Sequence, residues 1–167
     1  MHLRESEQIV KVFHHHPTPF AKGLIFVIFG SLPFFLLLFF IAQGLSTSSA
    51  IIANLVLITL FGLVIIHYAA IYWLDRLIIT NQRVIYVNWI TLFNRDESEA
   101  ELNDIQEVAT KEKGIFSALR VFDYGEFRLE TASTRTTILF DRAPDPEGIR
   151  QFLYEVKGKF LRHKPQL

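Results

Sequence analysis

Two unbroken apolar runs fill the first half of the chain. Leu24 to Ala42 reads LIFVIFGSLPFFLLLFFIA, and Ala50 to Leu74 reads AIIANLVLITLFGLVIIHYAAIYWL. No Asp, Glu, Lys or Arg falls between Gly23 and Leu74. As helices rising about 1.5 Å per residue, the runs extend roughly 29 and 37 Å, against a hydrocarbon core of about 30 Å. Two adjacent runs that are apolar on every face fit lipid better than the interior of a soluble protein. The first also exceeds the usual apolar length of a signal peptide, and a second run follows it directly. Pro33 sits inside the first run, which a membrane helix tolerates with a kink. The small polar stretch QGLSTSS, Gln43 to Ser49, joins the two. Tyr68, Tyr72 and Trp73 gather at the end of the second run, where an aromatic belt meets the bilayer surface, and Asp75-Arg76 marks the water side.

Beyond Leu74 the period changes to that of strands. RLIIT and RVIYV are short β-branched runs around the turn Asn81-Gln82. RDESEAEL alternates charged with small residues, as an exposed strand does. In GEFRLETAS, Phe127, Leu129 and Thr131 share one face and Arg128 and Glu130 the other; in RTTILFDRA, Ile138 and Phe140 share a face. Turn signals recur at Phe93-Asn94, Lys113-Gly114, Tyr124-Gly125 and Ser133-Thr134. This spacing predicts a small antiparallel barrel or sandwich. Asp145 and Pro146 then open a final helix, with Ile149, Phe152, Leu153, Val156 and Phe160 on one stripe that would lie on the strands. The expected organisation is a juxtamembrane segment over residues 1–22, a helical hairpin over 23–74 with spans at 24–42 and 50–74, and a β-domain over 75–167. In class this is an α+β membrane protein.

Charge and composition narrow the picture. Seventeen basic and seventeen acidic residues cancel, against the basic excess of a nucleic-acid binder. Cysteine is absent, which removes disulfides and thiol chemistry. Arg4, Lys11 and Lys22 precede the first span, Arg76, Arg83 and Arg95 follow the second, and the connecting loop has no Lys or Arg. By the positive-inside rule the loop faces outward and both termini are cytoplasmic, which places the chain in the inner membrane.

Few residues suggest chemistry. His14, His15 and His16 are imidazoles able to bind metal, although consecutive side chains point apart; the alternative is a segment among lipid headgroups. His67 lies inside the second run near its interfacial end, where a neutral ring facing water or headgroups is the simpler account. Asn54 and Thr59 could bond between helices. Asp96, Glu97, Glu99 and Glu101 alternate as solvated charges on an exposed strand rather than as an acid–base pair. Lys157, Lys159, Arg162 and Lys164 could meet anionic lipid or simply complement a helix C-terminus. No phosphate loop, GxSxG, HExxH or GxGxxG occurs, so neither an enzyme nor a cofactor is expected.

The segments DRLIITNQRVIYVN, LFNRDESEAELNDIQEV, GIFSALRVFDYGEFRLETAS and DPEGIRQFL resemble, in order, those of the bacterial membrane-flanked PH-like family, the second bacterial PH group (YdbS/YdbT-like). SEQIVKVFHHHPTPF is similar to that family's short stretch before its first span. The resemblance implies a PH-like fold of strands closed by one helix, preceded by a membrane hairpin. It also implies that Arg83, the lone cation of the TNQR turn, serves that turn or a nearby carboxylate rather than an inositol phosphate. The function expected is binding or scaffolding, with a protein partner or a homo-oligomer in contact with membrane lipids. A transport or channel accessory and an anionic-lipid surface sensor are the alternatives.

Overall fold

The computed structural model describes residues 3–113, 124–132 and 137–163. Among the described residues, seven strands and three helices follow in the order β1 (Ile9–His14), α1 (Pro17–Ala42), α2 (Thr47–Leu74), β2 (Arg76–Thr80), β3 (Arg83–Thr91), β4 (Asn94–Glu101), β5 (Ile105–Lys113), β6 (Tyr124–Thr131), β7 (Thr137–Pro144) and α3 (Pro146–His163). Two compact units result. One is the apolar hairpin, residues 17–72; the other joins residues 1–16 to residues 73–167. The architecture is the expected α+β one: an apolar helical hairpin, antiparallel sheets and a C-terminal helix.

The β-unit has two antiparallel sheets, ordered β1-β2-β3-β4 and β5-β6-β7. Its core takes Leu77, Ile79 and Val84 from the first sheet and Phe127, Leu129, Ile138 and Phe140 from the second, all fully buried. The period-2 faces expected for β6 and β7 therefore point inward. Of the expected turns, Gly114 and the Ser133-Thr134 pair lie outside the described residues. Ile149, Leu153 and Val156 of α3 complete the core, and Phe152 and Phe160 pack on its rim. Asp145 caps the helix: its Oδ1 accepts the Gly148 amide at 2.9 Å.

The N-terminal segment departs from the expected organisation. Residues 1–22 are not simply a juxtamembrane stretch, because Ile9–His14 pair with β2 as its edge strand, from Ile9 opposite Thr80 to His14 opposite Arg76. The hairpin is thus inserted between two neighbouring strands of one sheet. A bulge between Ile9 and Lys11 and a largely exposed strand blur the alternation that would have revealed β1.

The hairpin helices are each long and apolar enough to cross a membrane. Both start earlier than the apolar runs alone indicate. Pro17 has the backbone angle of a helix start, and Ser46 caps α2 by accepting the Ser49 amide on its hydroxyl at 3.3 Å. Pro33 lies within a continuous α1. Asn54 and Thr59 bond to carbonyls of their own helix, at Ala50 and Leu55, rather than bridging helices. At the open end of the hairpin, Phe20 stacks on Tyr68 with ring centroids 5.4 Å apart and lies 5.1 Å from Tyr72. Gly23 makes this approach possible, since a Cβ there would sit 2.2 Å from the Tyr68 hydroxyl oxygen. Tyr68 and Tyr72, two of the residues expected at the membrane interface, pack on Phe20 of α1; Trp73, the third, is exposed.

Gly125 sits where a side chain would collide with backbone. A Cβ there would meet the Lys111 carbonyl oxygen at 2.2 Å and Pro146 at 2.8 Å, whereas one at Gly158 meets nothing. Gly125→Ala should therefore cost about 1–3 kcal/mol of stability. Gly158→Ala in α3 should add up to about 1 kcal/mol. Thermal unfolding of the two variants in detergent, followed by near-ultraviolet circular dichroism, checks both signs.

Candidate functional site

The register of the first sheet gives the β-unit two distinct ends. At one end lie His14, Arg76 and Val87, paired across β1, β2 and β3. Here the chain leaves for α1 and returns from α2. The other end, five residues or roughly 17 Å along β2, carries the Asn81-Gln82 turn.

A buried ion pair closes that second end. Glu7 and Arg83, 76 residues apart in sequence, meet in bidentate geometry: Arg83 Nε donates to Glu7 Oε1 at 2.8 Å and Nη2 to Oε2 at 2.9 Å. Both side chains are buried. Glu99 takes a further bond from Arg83 Nη1, the Thr80 hydroxyl lies 2.9 Å from Glu7 Oε1, and the Arg4 amide donates to Oε2 at 2.7 Å. Burial opposes ionisation of Glu7. The hydrogen bonds from Arg83, the Arg4 amide and Thr80 outweigh it, and the carboxyl is held down at about 2 from 4.5. Glu7 in turn raises the Arg83 pKa against the opposing effect of burial. As the family resemblance implied, Arg83 serves a carboxylate: its guanidinium is committed inside the fold.

Beside this pair, the turn before β1, the β4–β5 connection and α3 enclose a groove of 570 Å³. Val10, Phe152, Val156 and Phe160 supply its apolar lining. Arg4, Glu101, Glu155 and Lys159 add charge of both signs, and Arg4 Nη1 bonds Glu101 at 2.8 Å. β1, the outer strand of its sheet, contributes Val10 to the groove, and Lys11 Nζ lies 5.0 Å from the Phe152 ring. A concave strip of backbone edge and apolar side chains, framed by mixed charge, is suited to a polypeptide segment.

The other predicted residues are dispersed. The three histidines diverge: His14 is exposed, His15 is buried, stacked on Phe140 with its Nε2 3.3 Å from Asp75 Oδ2, and His16 stacks on Tyr124. Among the described residues no three His, Cys, Asp or Glu side chains gather as metal ligands. Asp75 also accepts the Trp89 amide at 2.6 Å, which ties β1, β2 and β3 together where the hairpin joins. The carboxylates of β4 are largely exposed, as its alternation predicts. The α3 cations do not form one patch. Lys157 donates to the Ile105 carbonyl at 2.8 Å, Lys159 borders the groove, and Arg162 bonds the Gly158 carbonyl, while Lys164 lies outside the described residues. The groove was not foreseen, because it depends on β1 joining the sheet.

Two antiparallel sheets, one closing helix and a committed Arg83 define a PH-type domain interrupted by an apolar helical hairpin. The bacterial PH domain family model matches residues 25–157, and the chain belongs to that family. The match starts inside α1, so β1 and Glu7 lie outside it. No curated protein and no solved structure matches.

The depressed Glu7 carboxyl stabilises the fold fully above about pH 4.5, and that contribution is lost as pH falls toward about 2. Glu7→Gln should therefore flatten the acid dependence of stability in this window. Arg83→Ala strands a buried carboxylate and should cost about 3–5 kcal/mol, much of it recovered by the double variant Glu7→Leu/Arg83→Met. Acid and denaturant unfolding curves of the four proteins test this. Equal losses in the single and double variants would contradict it.

Proposed function

We propose that this chain is a membrane-anchored binding module of the bacterial inner membrane, which presents its groove to a polypeptide partner in the cytoplasm. The observation that carries the reading is the 570 Å³ groove between β1 and α3, at the end of β2 opposite the hairpin attachment. Two helices of membrane-crossing length support the anchoring, and the cations flanking them support a cytoplasmic domain. The module recognises rather than transforms. Its buried charges are neutralised by one another, and the groove offers apolar contact, an open strand edge and paired surface charge, the elements of strand addition. A partner or a second copy held in the same bilayer meets the groove repeatedly, so modest affinity suffices for scaffolding. Surface sensing of anionic lipid through α3 is less well supported, because Lys157 is engaged within the domain and Lys159 borders the groove.

A photoreactive residue at Glu155, in the full chain in native membranes, should form a polypeptide adduct of defined mass. Val10→Asp, a change at a position 47% exposed, should abolish the adduct while leaving the melting temperature unchanged. Adducts to lipid alone, or an adduct indifferent to Val10→Asp, would refute groove-directed binding.

A further inference from the structure

β3 and β4 do not stop where β2 begins. Val87 is the β3 partner of Arg76, yet the ladder continues through Asn88 opposite Asp96, Trp89 opposite Arg95 and Thr91 opposite Asn94. Four residues at about 3.3 Å each carry the hairpin roughly 13 Å past the start of β2. It projects from the end of the sheet at which the chain leaves for α1 and returns from α2.

The tip is apolar and uncovered. Ile90 is 51% exposed, Leu92 38% and Phe93 97%. A soluble β-hairpin turn normally carries Gly, Asn or Asp in place of such a cluster. The stretch WITLFNR, Trp89 to Arg95, contains no carboxylate, and none occurs from Arg83 onward until Asp96. Arg95 lies with its guanidinium 5.6 Å from the Trp89 ring and 3.1 Å from Glu97, at the base of the tip rather than its apex. An apolar apex, with the half-buried Trp89 packed on Ile78, Ile85 and Val87 and a cation below it, follows the order in which a bilayer surface is met.

We infer that the β3–β4 hairpin is a membrane-inserting wedge: Leu92 and Phe93 enter the acyl boundary of a phospholipid leaflet, with Trp89 and Arg95 at headgroup level. The inference rests on the reading that α1 and α2 cross a bilayer, and the chain joins both of them to the sheet at this end. The lengths agree, since a headgroup layer is about 5–8 Å deep on each side and the projection of roughly 13 Å exceeds it.

The chain lacks cysteine, so single-cysteine variants of the full protein report local environment directly. Phe93→Cys at the tip, Asn103→Cys at the groove end and Leu63→Cys within α2 would each carry an environment-sensitive fluorophore, in vesicles of phosphatidylethanolamine and phosphatidylglycerol. The expected result is that acyl-chain nitroxide lipid quenches the labels at 63 and 93 several-fold more than the label at 103. Aqueous iodide should quench only the label at 103, and emission at 93 should shift to the blue. If 63 is quenched by lipid but 93 behaves like 103, the wedge is wrong and the anchor stands. If 63 is also quenched by iodide, both fail. Protection of 93 from both quenchers, with disulfide-linked dimers formed by the unlabelled Phe93→Cys variant, would make the tip a contact between copies and overturn the inference.

Discussion

The pairing of β1 with β2 is the contact on which the rest of this structure depends. The two strands are adjacent in a sheet, yet the whole apolar hairpin lies between them in sequence. Closing a flexible loop of that length costs about 4 kcal/mol through its length-dependent part alone. The hairpin reduces this cost by preorganisation: Phe20, Tyr68 and Tyr72 bring the start of α1 and the end of α2 together within the hairpin itself. Glu7 and Arg83 then lock the far end of the pairing with two charge-assisted bonds in a buried setting. Removing either partner exposes the fold to an uncompensated internal charge, so the pair enforces the register as much as it stabilises it.

This connectivity has a topological consequence. Strands of one sheet occupy one aqueous compartment, so both ends of a hairpin inserted between them lie on the same side of any bilayer it enters. The sheet therefore supports, independently of the Lys and Arg distribution, the same-side placement that the positive-inside rule suggests. It also polarises the β-unit. One end gathers the hairpin attachments, the His15–Asp75 contact and the apolar β3–β4 tip; the other gathers the ion pair and the groove.

Much of the fold was legible in the sequence because its signals are periodic or extreme. The apolar runs form two helices of membrane-crossing length, and the alternation of Phe127 with Leu129 and of Ile138 with Phe140, together with Ile149, Leu153 and Val156 of the α3 stripe, falls in the buried core. What escaped notice had its period broken. Bulges interrupt β1 between Ile9 and Lys11 and β5 between Ile105 and Glu107. The groove escaped for a different reason: its lining comes from residues 4–10, 81–82, 101–103 and 152–160, which no local pattern joins. Glu7 could have been recognised as a partner for Arg83 beside the groove, and the hydrophobic Leu92-Phe93, at a turn where polar residues are the norm, could have marked the tip at the other end.

The claim that the hairpin is threaded between neighbouring strands of one domain is most directly tested by sidedness. Single cysteines at Glu5, Ser48 and Gln151 of the full chain, probed in sealed inside-out and right-side-out membrane vesicles with a membrane-impermeant maleimide, read it out. Labelling of positions 5 and 151 from the same face, with position 48 labelled from the opposite face, is the result the account predicts. Positions 5 and 151 reacting from opposite faces would contradict it.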